Sequence, residues 1–368
     1  MNDAFKKTSL GVLLVVIAIG IAGCVSKPTL EMFQSDDPPC YDRSVQPQTA
    51  LVDSHLHFRP FGGPAVRFEE IVSYLEKTGV LFANIYGIGQ MLPIESSCTY
   101  YLDCPGTPVI PTLKNDFVNA ANYTTKAPKG LHLTLSMTFP DLSQPESILP
   151  NMQILEQEYP GAFKWMGEVN LVKQALFQNG REAVPMAALA EWAAFMQVLR
   201  ERGIPIAIHS DLGNDDAPKK YLPLMNEVLR LYPDNNIVWM HMGLSRELVE
   251  MEAADHIRTM TSMLDKYPNL LLDLSWRVID DSYFSKPDER ALYVQFLNDY
   301  SERFLPGTDF LASSDKDIEV YRTELQITSR IFRDLNDQAF RNIALGQNYF
   351  RLLGLDYTAP PVCASQGP

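Results

Sequence analysis

The chain lacks what a nucleic-acid binder needs. Its 31 Lys+Arg are outnumbered by 45 Asp+Glu, the net charge is -14, and no basic stretch interrupts the acidic excess. Such a chain repels phosphate backbones, which excludes nucleic acid as a partner. No apolar run reaches the ~20 residues that a membrane-spanning helix requires. Cysteine is scarce, 5 in 368 residues, and the scattered spacing of Cys40, Cys98, Cys104 and Cys363 does not suit a structural zinc site. No internal repeat is present, and no glycine-rich phosphate loop follows the first apolar run at residues 50–58, which argues against a dinucleotide-binding open sheet. With 46% hydrophobic and 21% charged residues, the chain is also not disordered, collagenous or a coiled coil.

The N-terminus has the pattern of a targeting segment. Lys6 and Lys7 precede an uncharged run over residues 10–23 that ends in small residues. The ending Ile21-Ala22-Gly23-Cys24 resembles the bacterial lipobox, with Ile21 where Leu is usual. That resemblance implies removal of residues 1–23 and lipidation of Cys24, and hence a domain anchored in the bacterial cell envelope by acyl chains alone, standing in the periplasm. Val25, in place of an Asp, points to the outer membrane. Residues 24–49 are rich in Pro, Ser, Asp and Gln without a hydrophobic period, and are read as a tether. An even number of remaining cysteines in an exported chain favours disulfides. Cys98 and Cys104 are placed for a local loop staple, whereas Cys40 and Cys363 lie just outside the two ends of the folded core, which predicts the pairs Cys98–Cys104 and Cys40–Cys363.

From residue 50 onward, short apolar runs alternate with amphipathic stretches. The runs cover residues 50–58, 81–88, 131–139, 162–170, 204–210, 236–242, 269–276 and 303–310, and helical patterns at 68–77, 187–202, 221–231 and 256–266 lie between them. Strand and helix repeated eight times predict a single α/β domain, a (β/α)8 TIM barrel over residues 50–358 with a short tail at 359–368. The widest spacing follows the second run. It holds Cys98 and Cys104 and predicts a long excursion at the carboxyl end of the barrel, where active sites form.

Polar residues gather at the ends of these runs. In Asp53-Ser-His55-Leu-His57 the two histidines share a strand face with Cα atoms about 6.6 Å apart, a workable span for one metal. His209 closes the fifth run, His241 the sixth, Glu168 the fourth and Asp309 the eighth, while the seventh offers Asp273, Trp276 and Arg277. Lys164 shares a face with Glu168 but lies too far along the strand to serve the same site. Asp315 and Asp317 fall past the eighth run, so Asp309 is the stronger ligand. His132 opens a run and His256 lies in a helical stretch, and both are assigned structural roles. Arg59, Tyr86, Trp276 and Arg277 are candidates for the substrate mouth.

The ordered set resembles the metal-dependent amidohydrolase superfamily, in particular its amidohydrolase-related branch. The matching pieces are His55-x-His57, His209, His241 and Gly307-Thr308-Asp309-Phe310, where the branch has Gly-Ser/Thr-Asp-Tyr. Asn348-Tyr-Phe-Arg-Leu-Leu-Gly-Leu355 resembles the branch's Asn-Ala-x-Arg-Leu-Leu-Gly-Leu, and Gly167-Glu168 resembles the Gly-Glu of its binuclear relatives. The resemblance implies one or two divalent ions, Zn²⁺ foremost, held by His55, His57, His209 and Asp309, with Glu168 as a bridging ligand. It implies hydrolysis of a small-molecule lactone, ester or amide by metal-activated water, with Asp309 as proton shuttle and His241 as a ligand, a general acid/base or an oxyanion stabiliser. A decarboxylase of the same branch and a non-catalytic metal- or solute-binding lipoprotein are the alternatives.

Overall fold

A computed structural model describes residues 27–364. The leader expected at residues 1–23 and the lipidation expected at Cys24 lie outside the described residues. Nine short parallel strands form one curled sheet: β1 (Val52–His57), β2 (Phe82–Tyr86), β3 (His132–Met137), β4 (Phe163–Val172), β5 (Ile206–Ser210), β6 (Ile237–Trp239), β7 (Leu270–Asp273), β8 (Phe304–Leu305) and β9 (Phe310–Leu311). Their order is β8-β7-β6-β5-β4-β3-β2-β1-β9. The two edge strands belong to one segment: Phe304–Leu305 pairs with β7 and Phe310–Leu311 with β1. The eighth apolar run is thus split, and the residues between its halves stay bonded to β1, with Ser54 N donating to Pro306 O at 3.0 Å and Asp309 N to His55 O at 2.9 Å. The result is a TIM-barrel-like α/β domain.

Buried apolar residues of the strands, such as Val52, Leu56, Ile85, Leu135, Ile208 and Leu272, form one core with the helices outside them. Helices Phe68–Thr78, Ala193–Arg202, Leu222–Leu231 and Ala253–Lys266 follow β1, β4, β5 and β6. Each presents an apolar stripe to the sheet, as a surface helix must. None of the described helices is long and apolar enough to cross a membrane.

Residues 27–49 depart from the expected tether. Leu30–Gln34 is a short helix whose Phe33 ring packs edge-on to Phe82 at 5.1 Å and Phe350 at 5.8 Å. Tyr41 is fully buried and bridges to Val362, and Arg43 donates to the carbonyls of Phe332, Arg333 and Leu335. Single aromatic and cationic anchors with distant partners carry this segment, so it shows no period in sequence. The tail expected at 359–368 is likewise fixed where described: Ala359 is buried and Cys363 is joined to Cys40. The second disulfide is Cys98–Cys104.

Candidate metal centre

β1 is buried along its whole length, and its alternation brings His55 and His57 to the same side. Their Nε2 atoms are 3.0 Å apart. His57 Nδ1 lies 2.7 Å from Gly87 O, which can only accept, so Nδ1 carries the hydrogen and Nε2 presents a lone pair. His55 Nδ1 is held by Ser275 Oγ at 2.8 Å and Asp273 Oδ2 at 3.4 Å. Two imidazole lone pairs facing each other repel unless a cation lies between them. Carboxylates complete the set: Asp309 Oδ1 is 3.4 Å and 3.3 Å from the two Nε2 atoms, and Glu168 Oε2 is 3.7 Å and 3.4 Å away. The four ligand atoms lie within 4.8 Å of one another. Neutral nitrogen and carboxylate donors in this geometry fit a divalent ion.

A second group of Glu168, His209 and His241 shares the glutamate. Here the donors are already engaged. Glu168 Oε1 accepts from Lys173 Nζ at 2.9 Å and from His209 Nδ1, while His209 Nε2 faces Asp211 Oδ1 at 2.9 Å. His241 Nδ1 lies 3.2 Å from Ser275 O and 3.1 Å from Ser275 Oγ, and its Nε2 is 3.8 Å from Glu168 Oε1, within reach of the same centre.

The backbone is shaped to aim these groups. A side chain on Gly167 would place its Cβ 2.3 Å from Ala207 O, and one on Gly307 would approach His55 Cβ to 2.8 Å. Among the described residues, the non-glycine residues with positive φ are His241, Met242, Trp276 and Asp309, all at this end of the barrel. Such strain persists where surrounding contacts over-determine the backbone. Asp53 supplies part of that constraint: its carboxylate accepts from Thr308 N at 2.9 Å, Thr308 Oγ1 at 2.8 Å and Tyr321 OH at 3.0 Å, fixing the residue before Asp309. His241, expected at a strand end, instead occupies the turn Met240–Gly243 just past β6, where its left-handed backbone turns the ring into the site.

The electrostatics favour positive charge. Burial alone would lower the His55 imidazole, but Asp309, Asp273 and Glu168 outweigh it and raise its pKa to about 10. Burial would raise Asp309, yet His55, His57 and His241 hold it well below the ordinary carboxylate range. Burial also opposes the charged form of Glu168, and Lys173 and His209 reverse this.

A cavity of about 580 Å³ opens above these groups, with His57, His209, His241, Asp309 and Lys173 among its lining residues. Thr99, Tyr100, Tyr101 and Asp103 of the disulfide loop form part of its wall, where the long excursion after the second run was expected. Trp276 and Arg277 line it, whereas Tyr86 and Arg59 do not. Tyr86 is fully buried with its ring 4.7 Å from that of His55, because the last residue of β2 points inward beneath the histidines. Lys164 is exposed, Asp315 lies at the rim, and Asp317 caps helix Ile318–Ser329. His132 contacts Tyr357, and His256 is held between Met242 O and Tyr293 OH, both away from the site. Lys173, Asp211 and Ser275 were not singled out in the sequence. Asp211, two residues beyond His209, repeats the spacing of His55 and His57 and was the one available signal.

Residues 166–340 match the family model described as Amidohydrolase. No curated protein matches the chain. Among solved structures, an amidohydrolase from Burkholderia multivorans with bound zinc is 13% identical, with a TM-score of 0.53 over 83% of this chain and 99% of that chain. A dihydroorotase from Campylobacter jejuni is 13% identical, with a TM-score of 0.51 over 83% of this chain and 84% of that one. A protein from Agrobacterium tumefaciens, in an apo structure, is 14% identical, with a TM-score of 0.51 over 86% and 98%. These structures share the fold, and residues 166–340, just under half of the chain, are similar to the amidohydrolase family.

Proposed function

We propose that the protein is a metal-dependent hydrolase that cleaves a C–O or C–N bond in a small-molecule lactone, ester or amide. The observation that carries this reading is the convergence of His55, His57, Glu168 and Asp309 within 4.8 Å at the base of an open cavity. A divalent ion, Zn²⁺ foremost, would polarise the scissile carbonyl and favour ionisation of water. Asp309 faces the cavity with 19% of its side chain exposed, and as a carboxylate it takes the proton of the attacking water and returns it to the leaving group. A panel of lactones, esters, amides and aromatic acids, with product analysis, tests the reaction. Metal-dependent ring opening or acyl cleavage is the expected result, and release of CO2 without hydrolysis would replace it with the lyase reading. His57→Ala should lose the ion in the same preparations, measured by elemental analysis, because its Nε2 has no substitute donor.

The reading includes one ion rather than two. An ammonium 2.9 Å from Glu168 Oε1 opposes a second dication on that oxygen, and His209 is already shared between Glu168 and Asp211. Glu168 Oε2 remains for the ion at His55 and His57. Metal-reconstituted protein should hold about one equivalent, and Lys173→Met should raise this toward two at the same free zinc. Two equivalents in the unsubstituted protein would refute the role given to Lys173. Acylation at Cys24 and placement in the cell envelope belong to the same proposal, and mass spectrometry of the mature N-terminus tests them.

A further inference from the structure

Four cations line the cavity: Lys173, Arg246, Arg277 and Lys316. Lys173 is engaged by Glu168, and Arg277 by Asp281 at 3.0 Å and Glu324 at 3.8 Å. Arg246 and Lys316 form no ion pair among the described residues. Each lies over an aromatic ring of the cavity, Lys316 over Phe310 at 5.3 Å, and Arg246 is the one that offers a fork of donors. Its guanidinium lies over the Trp276 ring, 5.6 Å from the centroid, and the Trp276 ring is 5.0 Å from that of His241. The indole therefore contacts both a free guanidinium and an imidazole of the metal centre.

The backbone beneath Arg246 is fixed as well. Ser245 and Leu248 are buried and bridge one another, with Leu248 N donating to Ser245 O at 3.3 Å, so Arg246 and Glu247 form the tip of a tight turn. That turn is tied down from outside, since Asp215 N donates to Glu247 O at 2.9 Å and Asp215 Oδ1 accepts from Val249 N and Glu250 N. An indole face attracts the guanidinium without neutralising it, and its fork of N–H donors matches a carboxylate in two parallel bonds. A chain of net charge -14 does not attract anions over distance, so an anionic ligand depends on such a local cation.

We propose that Arg246, held on Trp276, is a specificity-determining residue that binds a carboxylate on the substrate at the end remote from the scissile carbonyl. The substrate class is then a small acid whose carboxylate is separate from the bond that breaks. The assignment rests on the hydrolase reading for the word substrate, but it is tested by binding alone. 4-Carbamoylbenzoate and terephthalamide have the same shape and differ by one charge, the carboxylate remote from the amide carbonyl. Calorimetric titration of the zinc-loaded protein should show 4-carbamoylbenzoate binding about tenfold tighter or more, as a charge-assisted pair provides. Arg246→Gln should reduce the preference to within about twofold, with zinc content and terephthalamide affinity unchanged. Lys316→Gln should leave the preference in place. No preference in the unsubstituted protein, a preference that survives Arg246→Gln, or one abolished by Lys316→Gln would each overturn the assignment. A preference that depends on Arg246 in a protein that hydrolyses nothing on the panel would overturn the hydrolase reading and leave the carboxylate site standing.

Discussion

Asp309→Asn should lower the hydrolytic rate by about 10² to 10⁴, the range for loss of a positioned proton-transfer group. The amide retains an oxygen, which still faces His55 and His57 Nε2 from the place now occupied by Oδ1 at 3.4 Å and 3.3 Å. Part of the metal should therefore remain bound. What the amide lacks is a site to receive a proton, and the imidazoles that hold Asp309 ionised in the native protein have no counterpart role in the variant. Turnover and metal content measured on the same sample separate the two effects. Asp315→Asn is the control: that residue sits at the rim, bonded to Ser313 Oγ, and its loss should change the rate by less than about twofold. Full activity in Asp309→Asn with loss in Asp315→Asn would place the proton shuttle on the wrong carboxylate; full activity in both would remove the shuttle from the mechanism.

Cys40→Ser should be the most destabilising of the disulfide substitutions. Cys40 and Cys363 are 323 residues apart, so their bond restricts nearly the whole unfolded chain, a chain-entropy effect of about 6 kcal/mol. Cys98–Cys104 closes a separation of only 6 residues and should contribute about 2 kcal/mol. Urea unfolding of each variant, with the native protein under oxidising and reducing conditions, measures the difference. Equal midpoints for Cys40→Ser and Cys98→Ser would mean that loop length does not govern stability here. Losing the short loop has a local consequence instead, because Tyr101 packs with Phe61, Ile88, Leu92, Val109 and Leu176 in a small cluster of its own above the mouth. Cys98→Ser should raise KM more than it lowers the unfolding midpoint.

The first seven strands were legible because each lies in a distinct apolar run, and His55 and His57 because strand side chains repeat every two residues. Asp309 was legible from its place at the end of the eighth run. Lys173 was not, since it lies beyond the apolar stretch of its strand and acquires its role only through folding, when its ammonium meets Glu168 Oε1. Ser275 gains its role in the same way, touching His55 and His241 from another strand end. His241 was found, but its turn was not, because a left-handed histidine has no signature in composition. Tyr86 was misplaced for want of a facing: the end of a strand can point into the barrel as readily as into its mouth. The supposed tether failed for a different reason, as Phe33, Tyr41 and Arg43 are isolated anchors whose partners lie near the other end of the chain.

The Cys40–Cys363 bond brings both extremities of the domain to one place, with Cα atoms 4.9 Å apart, on the face where the strands begin. The mouth opens on the opposite face. A cargo fused to either end, or a solid support coupled there, would hang from the floor of the barrel and leave the entrance clear. The same proximity makes the domain a natural subject for circular permutation: a short peptide could replace the disulfide as the join, and new ends could be opened in any exposed connection away from the metal ligands.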